Sequence, residues 1–266
     1  MTIAYEGNEV IALIMLNDLE IKNRYKFNKK TRNFSSAEVV ASGLLKKTRK
    51  RYYVSVLGAE QLDRVLSFQK FMGSTNSSRD VFQLDSPEHV ESILSGAGVT
   101  HGVFVNEELI AYHMTYFPGR RADNLGRDLG LPQKDLKKIA HFETVYVHPD
   151  YQGNGLQQKL HQLGKKACVK NGFSYPFATV SPINYWSLKN IFKFGLVAKL
   201  ILKKYAGNPR LILFSDLNLK KKPRFSKIVR VVPDDLTRQK ELFYQSYVAF
   251  GLFGTAKKYQ ILFGVP

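Results

Sequence analysis

Apolar positions along this 266-residue chain fall into short strand-like runs and helical stripes, and the clearest succession lies at 141–167. Residues 142–147, FETVYV, form an apolar run rich in β-branched and aromatic side chains, which suits a strand buried inside a sheet. His148, Pro149 and Asp150 stop it, because Pro has no N–H for a ladder and Asp favours turns. Gln152, Gly153, Asn154 and Gly155 follow, and then Leu156, Leu160, Leu163 and Ala167 share one helix face. The predicted order is strand, glycine turn, helix.

The same patterning runs along the rest of the chain. Residues 10–16 read as a strand or a buried helix, and 21–27 alternate as a strand does. Ser35 with Glu38 makes a capping box for a helix to about Lys47. A strand at 52–57 and a helix carrying Leu62, Val65, Leu66 and Met72 come next, before the polar, turn-rich stretch 73–79. Ser86 and Pro87 start another helix that ends near Gly96. Runs at 99–105 and 109–117 form a hairpin across 106–107. Residues 118–138 are a polar, basic insertion, longer than an ordinary connection. A strand at 173–180 carries Pro176, which fits an edge or a bulge. A short helix starts at Asn184, and 196–205 pair with 210–214 around Gly207, Asn208 and Pro209. A basic linker, a strand at 228–232, a helix at 235–247 and a last strand at 259–263 complete the chain. The expected division is an N-terminal extension (1–50), a core (51–216) and a C-terminal strand–helix–strand addition (217–266).

A glycine turn at a helix start aims backbone N–H groups outward, where the helix dipole adds partial positive charge, so 152–157 are read as a phosphate site. The segment VYVHPDYQGNGLQ resembles the acetyl-CoA-binding motif of the GNAT superfamily of N-acyltransferases, Q/R-x-x-G-x-G/A after a strand. Gln152 and Gly155 match the first two anchors, and Gln157 stands where the family prefers Gly or Ala. Asn184, Tyr185, Trp186 and Ser187, followed by Phe194, Gly195 and Leu196, resemble the family's N-x-x-S/A helix and its closing G-F.

The resemblance covers about 51–216. It implies an α/β fold, with a mixed, mostly antiparallel central sheet flanked by helices and additions at both ends. It also implies acetyl transfer from acetyl-CoA to an amine by direct attack. On this reading the main chain of Val145, Tyr146 and Val147 holds the pantetheine arm. Gln152, Gly153, Asn154, Gly155, Leu156 and Gln157 hold the phosphates, and Asn184 and Ser187 contact the cofactor. Glu143 is the candidate base, with a raised pKa expected from its apolar strand. His141 and His148 are weaker candidates. The family's Tyr proton donor falls on Ile191 here, so either Tyr185 substitutes or the thiolate leaves unassisted. Trp186 is expected to be a packing or wall residue.

Composition narrows the rest. One cysteine, Cys168, excludes an internal disulfide and fits a reducing, cytoplasmic setting, and its place near the helix stripe predicts a buried residue. The N-terminus lacks the positive charge and long apolar core of a signal peptide, no run reaches the length of a membrane span, and no metal-ligand spacing occurs. The formal charge is +18, and 199–230 hold ten Lys or Arg against Asp216 alone. Two rival readings therefore stand beside the transferase. One is a GNAT-fold protein that binds CoA or a partner without turnover, on the departures at Gln157 and Ile191. The other is a basic nucleic-acid-binding protein, on charge. The acceptor amine is not specified by the sequence.

Overall fold

A computed structural model describes residues 39–75, 83–205, 207–219, 221 and 223–266. The segments 10–16 and 21–27, expected to be regular elements, lie outside the described residues. Eleven strands make one sheet: β1 (Val39–Leu44), β2 (Arg51–Leu57), β3 (Gly98–Val105), β4 (Glu108–Tyr116), β5 (Ile139–Val147), β6 (Tyr175–Val180), β7 (Val197–Lys204), β8 (Asn208–Phe214), β9 (Ser226–Val231), β10 (Val248–Thr255) and β11 (Lys258–Val265). Their spatial order is β1-β2-β3-β4-β5-β6-β8-β7-β10-β11-β9. Among the described residues only β5 and β6 pair in parallel, across the helix that joins them. The helices are α1 (Leu62–Thr75), α2 (Pro87–Ser92), the single turn α3 (Gln133–Leu136), α4 (Leu156–Lys170), α5 (Tyr185–Phe194) and α6 (Leu236–Tyr244).

Local chemistry accounts for the main boundaries. Ser86 accepts the His89 N–H at 3.2 Å and Pro87 opens α2. Asn106 and Glu107 both take positive φ, the two-residue turn whose twist suits a hairpin between β3 and β4. Val65, Phe68 and Met72 of α1, with Val90 of α2, bury one face of the sheet against Phe104, Tyr112 and Met114. Leu156, Leu160 and Leu163 of α4 cover Val103, Val105 and Ile110 in a separate cluster. Leu160 is fully buried, so its truncation to Ala would cost about 2–5 kcal/mol. At Gly164 a Cβ would stand 2.6 Å from His113 Cε1, so only glycine lets α4 approach β4 this closely.

Two expectations are corrected. Residues 39–44 form an edge strand, not the end of a capped helix. Val39 and Val40 favour an extended chain, and antiparallel pairing with β2 supplies the hydrogen bonds. The C-terminal addition is strand–helix–strand–strand: it gains β10, a strand that the sequence pattern does not predict and that joins β7 to β11. Asp235 caps α6 by accepting the Arg238 N–H at 2.9 Å, and the helix stops at Tyr244.

Candidate active site

The site is built where β5 loses its parallel neighbour. Pairing with β6 joins Ile139 to Tyr175, Ala140 to Pro176 and His141 to Phe177. Beyond His141 the strands part, while β6 continues against β8 through Val180. Pro176 sits inside this brief pairing, where it cannot donate to a ladder. On its other side β5 pairs with β4, but the register slips between the pairs His113–Val145 and Thr115–Phe142. This bulge leaves Glu143 and Thr144 opposite the single residue Met114 and re-aims both side chains.

Glu143 is held by two imidazoles. Its Oε1 lies 3.4 Å from His141 Nδ1 and 3.5 Å from His89 Nε2. His141 is buried, and its Nε2 accepts the Leu125 N–H at 3.1 Å. That bond puts the ring proton on Nδ1, which donates to Glu143. The polar insertion thus contributes a backbone donor that sets the His141 tautomer. Burial works to raise the Glu143 carboxyl, but the hydrogen bonds from His141 and His89, with the charge of His89, outweigh it and hold it at about 2. The expected raised pKa is corrected: β5 alone suggested an apolar setting, and the partners come from other elements.

Asp85 and His89 carry no motif that marks them in the sequence. Gln69 of α1 donates to the Asp85 carbonyl at 2.7 Å, and Thr144 Oγ1 donates to Asp85 Oδ2. Burial raises the Asp85 carboxyl and the Glu143 charge adds to it. Thr144 and His89 pull the other way, and the result is about 6. His89 is raised by its hydrogen bond to Glu143 against the effect of burial. Tyr116 packs edge-on against both His89 and His141 and donates to Asp123 Oδ2 at 3.1 Å. On the β6 side, Thr179 Oγ1 and the Tyr205 hydroxyl lie 3.2 Å apart. Burial, then the charge of Glu143, push that phenol up to about 12. Two carboxyls with opposed shifts therefore act on one imidazole beside the parting strands, Glu143 by contact and Asp85 through its charge, an arrangement suited to proton transfer.

The glycine turn lies at the other end of β5. Gly153 and Gly155 adopt φ of +79° and +78°, which an L side chain rarely takes. Asn154 is buried between them and donates to the Tyr151 carbonyl at 2.9 Å. Gly155 caps α4 without a side chain, so no side-chain oxygen occupies the N–H groups of Leu156 and Gln157. Gln152 Nε2 donates to the Val147 carbonyl at 3.3 Å, and the Tyr146 hydroxyl donates to the Gln83 carbonyl at 2.8 Å. The Gln157 side chain is turned to α5, where its Oε1 accepts from Asn190 Nδ2 at 2.7 Å. Uncapped N–H groups, left-handed glycines and a strand with a parted edge fit a phosphate-bearing thioester with an extended arm.

The remaining candidates are spread more widely. Asn184 caps α5 by accepting the Ser187 N–H at 3.1 Å. The Tyr185 hydroxyl faces the Gly254 carbonyl at 3.5 Å and its ring packs on Tyr259. Ile191 is buried in the core, and Trp186 is 63% exposed, which excludes core packing and leaves the wall role expected beside it. His148 accepts the Asp150 N–H and stacks on Phe71. Cys168 is buried, and burial pushes its thiol up to about 12.

Residues 68–195 match the acetyltransferase (GNAT) family model. No curated protein matches the chain. Among solved structures, the chain is similar to a GNAT-family acetyltransferase from Streptococcus pneumoniae, with 12% identity, a TM-score of 0.49, and coverage of 63% of this chain and 99% of that one. It is also similar to yncA from Salmonella typhimurium, solved with its cofactor acetyl-CoA, at 13% identity, TM-score 0.49, and 65% and 98% coverage. A third is the ribosomal-protein-S18-alanine N-acetyltransferase from Escherichia coli, at 14% identity, TM-score 0.47, and 66% and 99% coverage. Among the described residues no helix is long and apolar enough to cross a membrane. With the match falling on the parted strands, the bulge and the glycine turn, residues 68–195 belong to the acetyltransferase (GNAT) family.

Proposed function

We propose that the protein is an acetyl-CoA-dependent N-acetyltransferase. The observation that carries this reading is the parting of β5 from β6 beside an uncapped α4 that starts on two left-handed glycines. Residues 51–216 are taken as the transferase core, with the flanking segments as additions, and the lone buried cysteine fits a cytoplasmic setting.

Bound acetyl-CoA supplies the acyl group as a thioester. The main chain of Val145, Tyr146 and Val147 holds the pantetheine amides along the parted edge. The N–H groups of 153–157 hold phosphate oxygens, as a helix N-terminus does. Asn184 and Ser187 border the cofactor from α5. At the bulge, Glu143 stays ionised at any working pH, orients the His89 imidazole, and draws the acceptor's ammonium group to the acyl carbon. The amine must lose a proton before it attacks, and the His89 imidazole, oriented by Glu143, receives it directly or through water. The amine nitrogen then bonds to the acyl carbon, the carbon–sulfur bond breaks, and the thiol is released. A thiol pKa near 8.5 lets the thiolate leave without an acid. Tyr185 serves as donor only by leaving the Gly254 carbonyl.

A second reading, CoA binding without turnover, is favoured by one observation: Ile191 is buried apolar core and Tyr185 is engaged elsewhere. Calorimetry with acetyl-CoA, followed by thiol release with an amine panel, separates the two. Binding with release supports the enzyme, binding without release supports the second reading, and no binding removes both. A nucleic-acid binder would be retained on nucleic acid at high salt and would ignore acetyl-CoA.

A further inference from the structure

A second charged element reaches the glycine turn from the N-terminal side. The turn between β1 and β2 carries Lys46 and Lys47, outside the residues 68–195 that match the family. It is fastened in place by its backbone: the Lys47 N–H donates to Asn154 Oδ1 at 3.0 Å. Asn154 is only 7% exposed and is itself tied to Tyr151. The two turns are therefore tied together through Asn154.

The lysine side chains extend over the open side of the glycines. A Cβ on Gly153 would meet Cε and Nζ of Lys47 at 2.9 Å, and a Cβ on Gly155 would lie 3.7 Å from Lys46 Nζ. Among the described residues neither ammonium is ion-paired with a carboxylate. Two like charges share a small space with the positive end of α4, an arrangement that an anion relieves.

We infer that the β1–β2 turn completes the cofactor site, with Lys46 and Lys47 clamping a phosphate group of CoA over Gly153 and Gly155. This rests on the CoA reading above and deepens it, because the clamp comes from a segment added to the family core. Ammonium groups supply point charge where the helix supplies directed N–H donors. CoA carries phosphate in two places, the diphosphate and the ribose 3′-phosphate, and both offer this chemistry.

The test is calorimetry of CoA, dephospho-CoA and pantetheine with the unmodified protein, the Lys46→Ala/Lys47→Ala double variant, and a Lys227→Ala/Lys240→Ala variant. The last removes equal charge from β9, the outermost strand at the other end of the sheet, and from α6. Lys47→Ala keeps the backbone bond to Asn154, so the turn stays fastened. The double variant is expected to lose about 10–100-fold in CoA affinity. Pantetheine affinity stays the same, and the distant variant stays within about twofold at physiological salt. An equal loss with dephospho-CoA assigns the clamp to the diphosphate, and a smaller loss assigns it to the 3′-phosphate. Either outcome upholds it. Unchanged CoA affinity in the double variant, or an equal loss in the distant variant, overturns the clamp while leaving the CoA reading intact. Failure of the unmodified protein to bind CoA overturns both.

Discussion

His141 Nδ1 and Glu143 Oε1 lie 3.4 Å apart, and the Leu125 N–H on Nε2 makes the imidazole the donor. One backbone bond from the insertion thus decides how a strand carboxylate is held. Glu143→Gln removes the charge that orients His89 and keeps the side-chain shape. Turnover should fall about 10²–10⁴-fold near pH 7, with CoA affinity nearly unchanged. High pH should restore part of the loss, because more of the amine is then neutral. Unchanged turnover in steady-state assays would remove Glu143 from the chemistry.

The pH dependence should differ from that of an ordinary catalytic glutamate. Glu143 is held at about 2 and does not titrate in the working range, whereas Asp85 sits at about 6. An acid limb near pH 6 that disappears in Asp85→Asn and persists in Glu143→Gln is expected from rate–pH profiles. A limb that disappears only in Glu143→Gln would contradict this assignment.

Stability should fall on acidification for a separate reason. His101 and His113 are cross-strand partners, and His161 of α4 lies 5.3 Å from His113. Burial lowers His101 and His161 to about 4 and His113 well below its usual 6.5, and the charges of His161 and His101 depress His113 further. In that range the unfolded chain binds more protons than the folded one, so stability present above pH 6.5 is lost as pH falls towards 4. Each imidazole contributes a slope of about 1.4 kcal/mol per pH unit. Asp85, raised to about 6 in the fold, offsets part of it below that pH. Urea unfolding at pH 7, 6 and 5 should show the decline, and His161→Leu should flatten it. An equal slope in that variant would exclude the cluster as its source.

Gly155→Val should strain the turn, since a β-branched residue must take φ of +78° there. The backbone cost is roughly 1–2 kcal/mol. The altered turn should weaken CoA by about tenfold or more, as charge-assisted hydrogen bonds are lost. A folded variant with normal CoA affinity by calorimetry would place the phosphates elsewhere. Gln157→Gly should leave CoA affinity unchanged, because that side chain is occupied by Asn190.

Much of the fold and of the glycine turn is legible in the sequence because it depends on neighbours in the chain. Gly153, Gly155 and the Leu156–Leu160–Leu163 stripe announce a glycine-started helix, and the strand leading to it is rich in apolar residues. Where the pattern misleads, the deciding contacts are distant. Ser35 and Glu38 suggest a helix, but 39–44 gain their hydrogen bonds from β2. Gly251 and Gly254 break the apolar pattern of β10, which is completed by β11. The apolar strand around Glu143 points to a raised pKa, because His89 and the Leu125 N–H reach the carboxylate and its partner only through the fold. Asp85 reads as a residue before a helix cap, and Gln69 and Thr144 fix it beside the bulge.

The central claim is acetyl transfer at the bulge of β5, and release of free thiol from acetyl-CoA tests it most directly. With a panel of amines, the unmodified protein should release thiol in proportion to at least one acceptor. Glu143→Gln should bind acetyl-CoA equally well and release thiol at least about 100-fold more slowly. Acetyl-CoA binding without amine-dependent thiol release across the panel, or equal release by both proteins, would contradict the account.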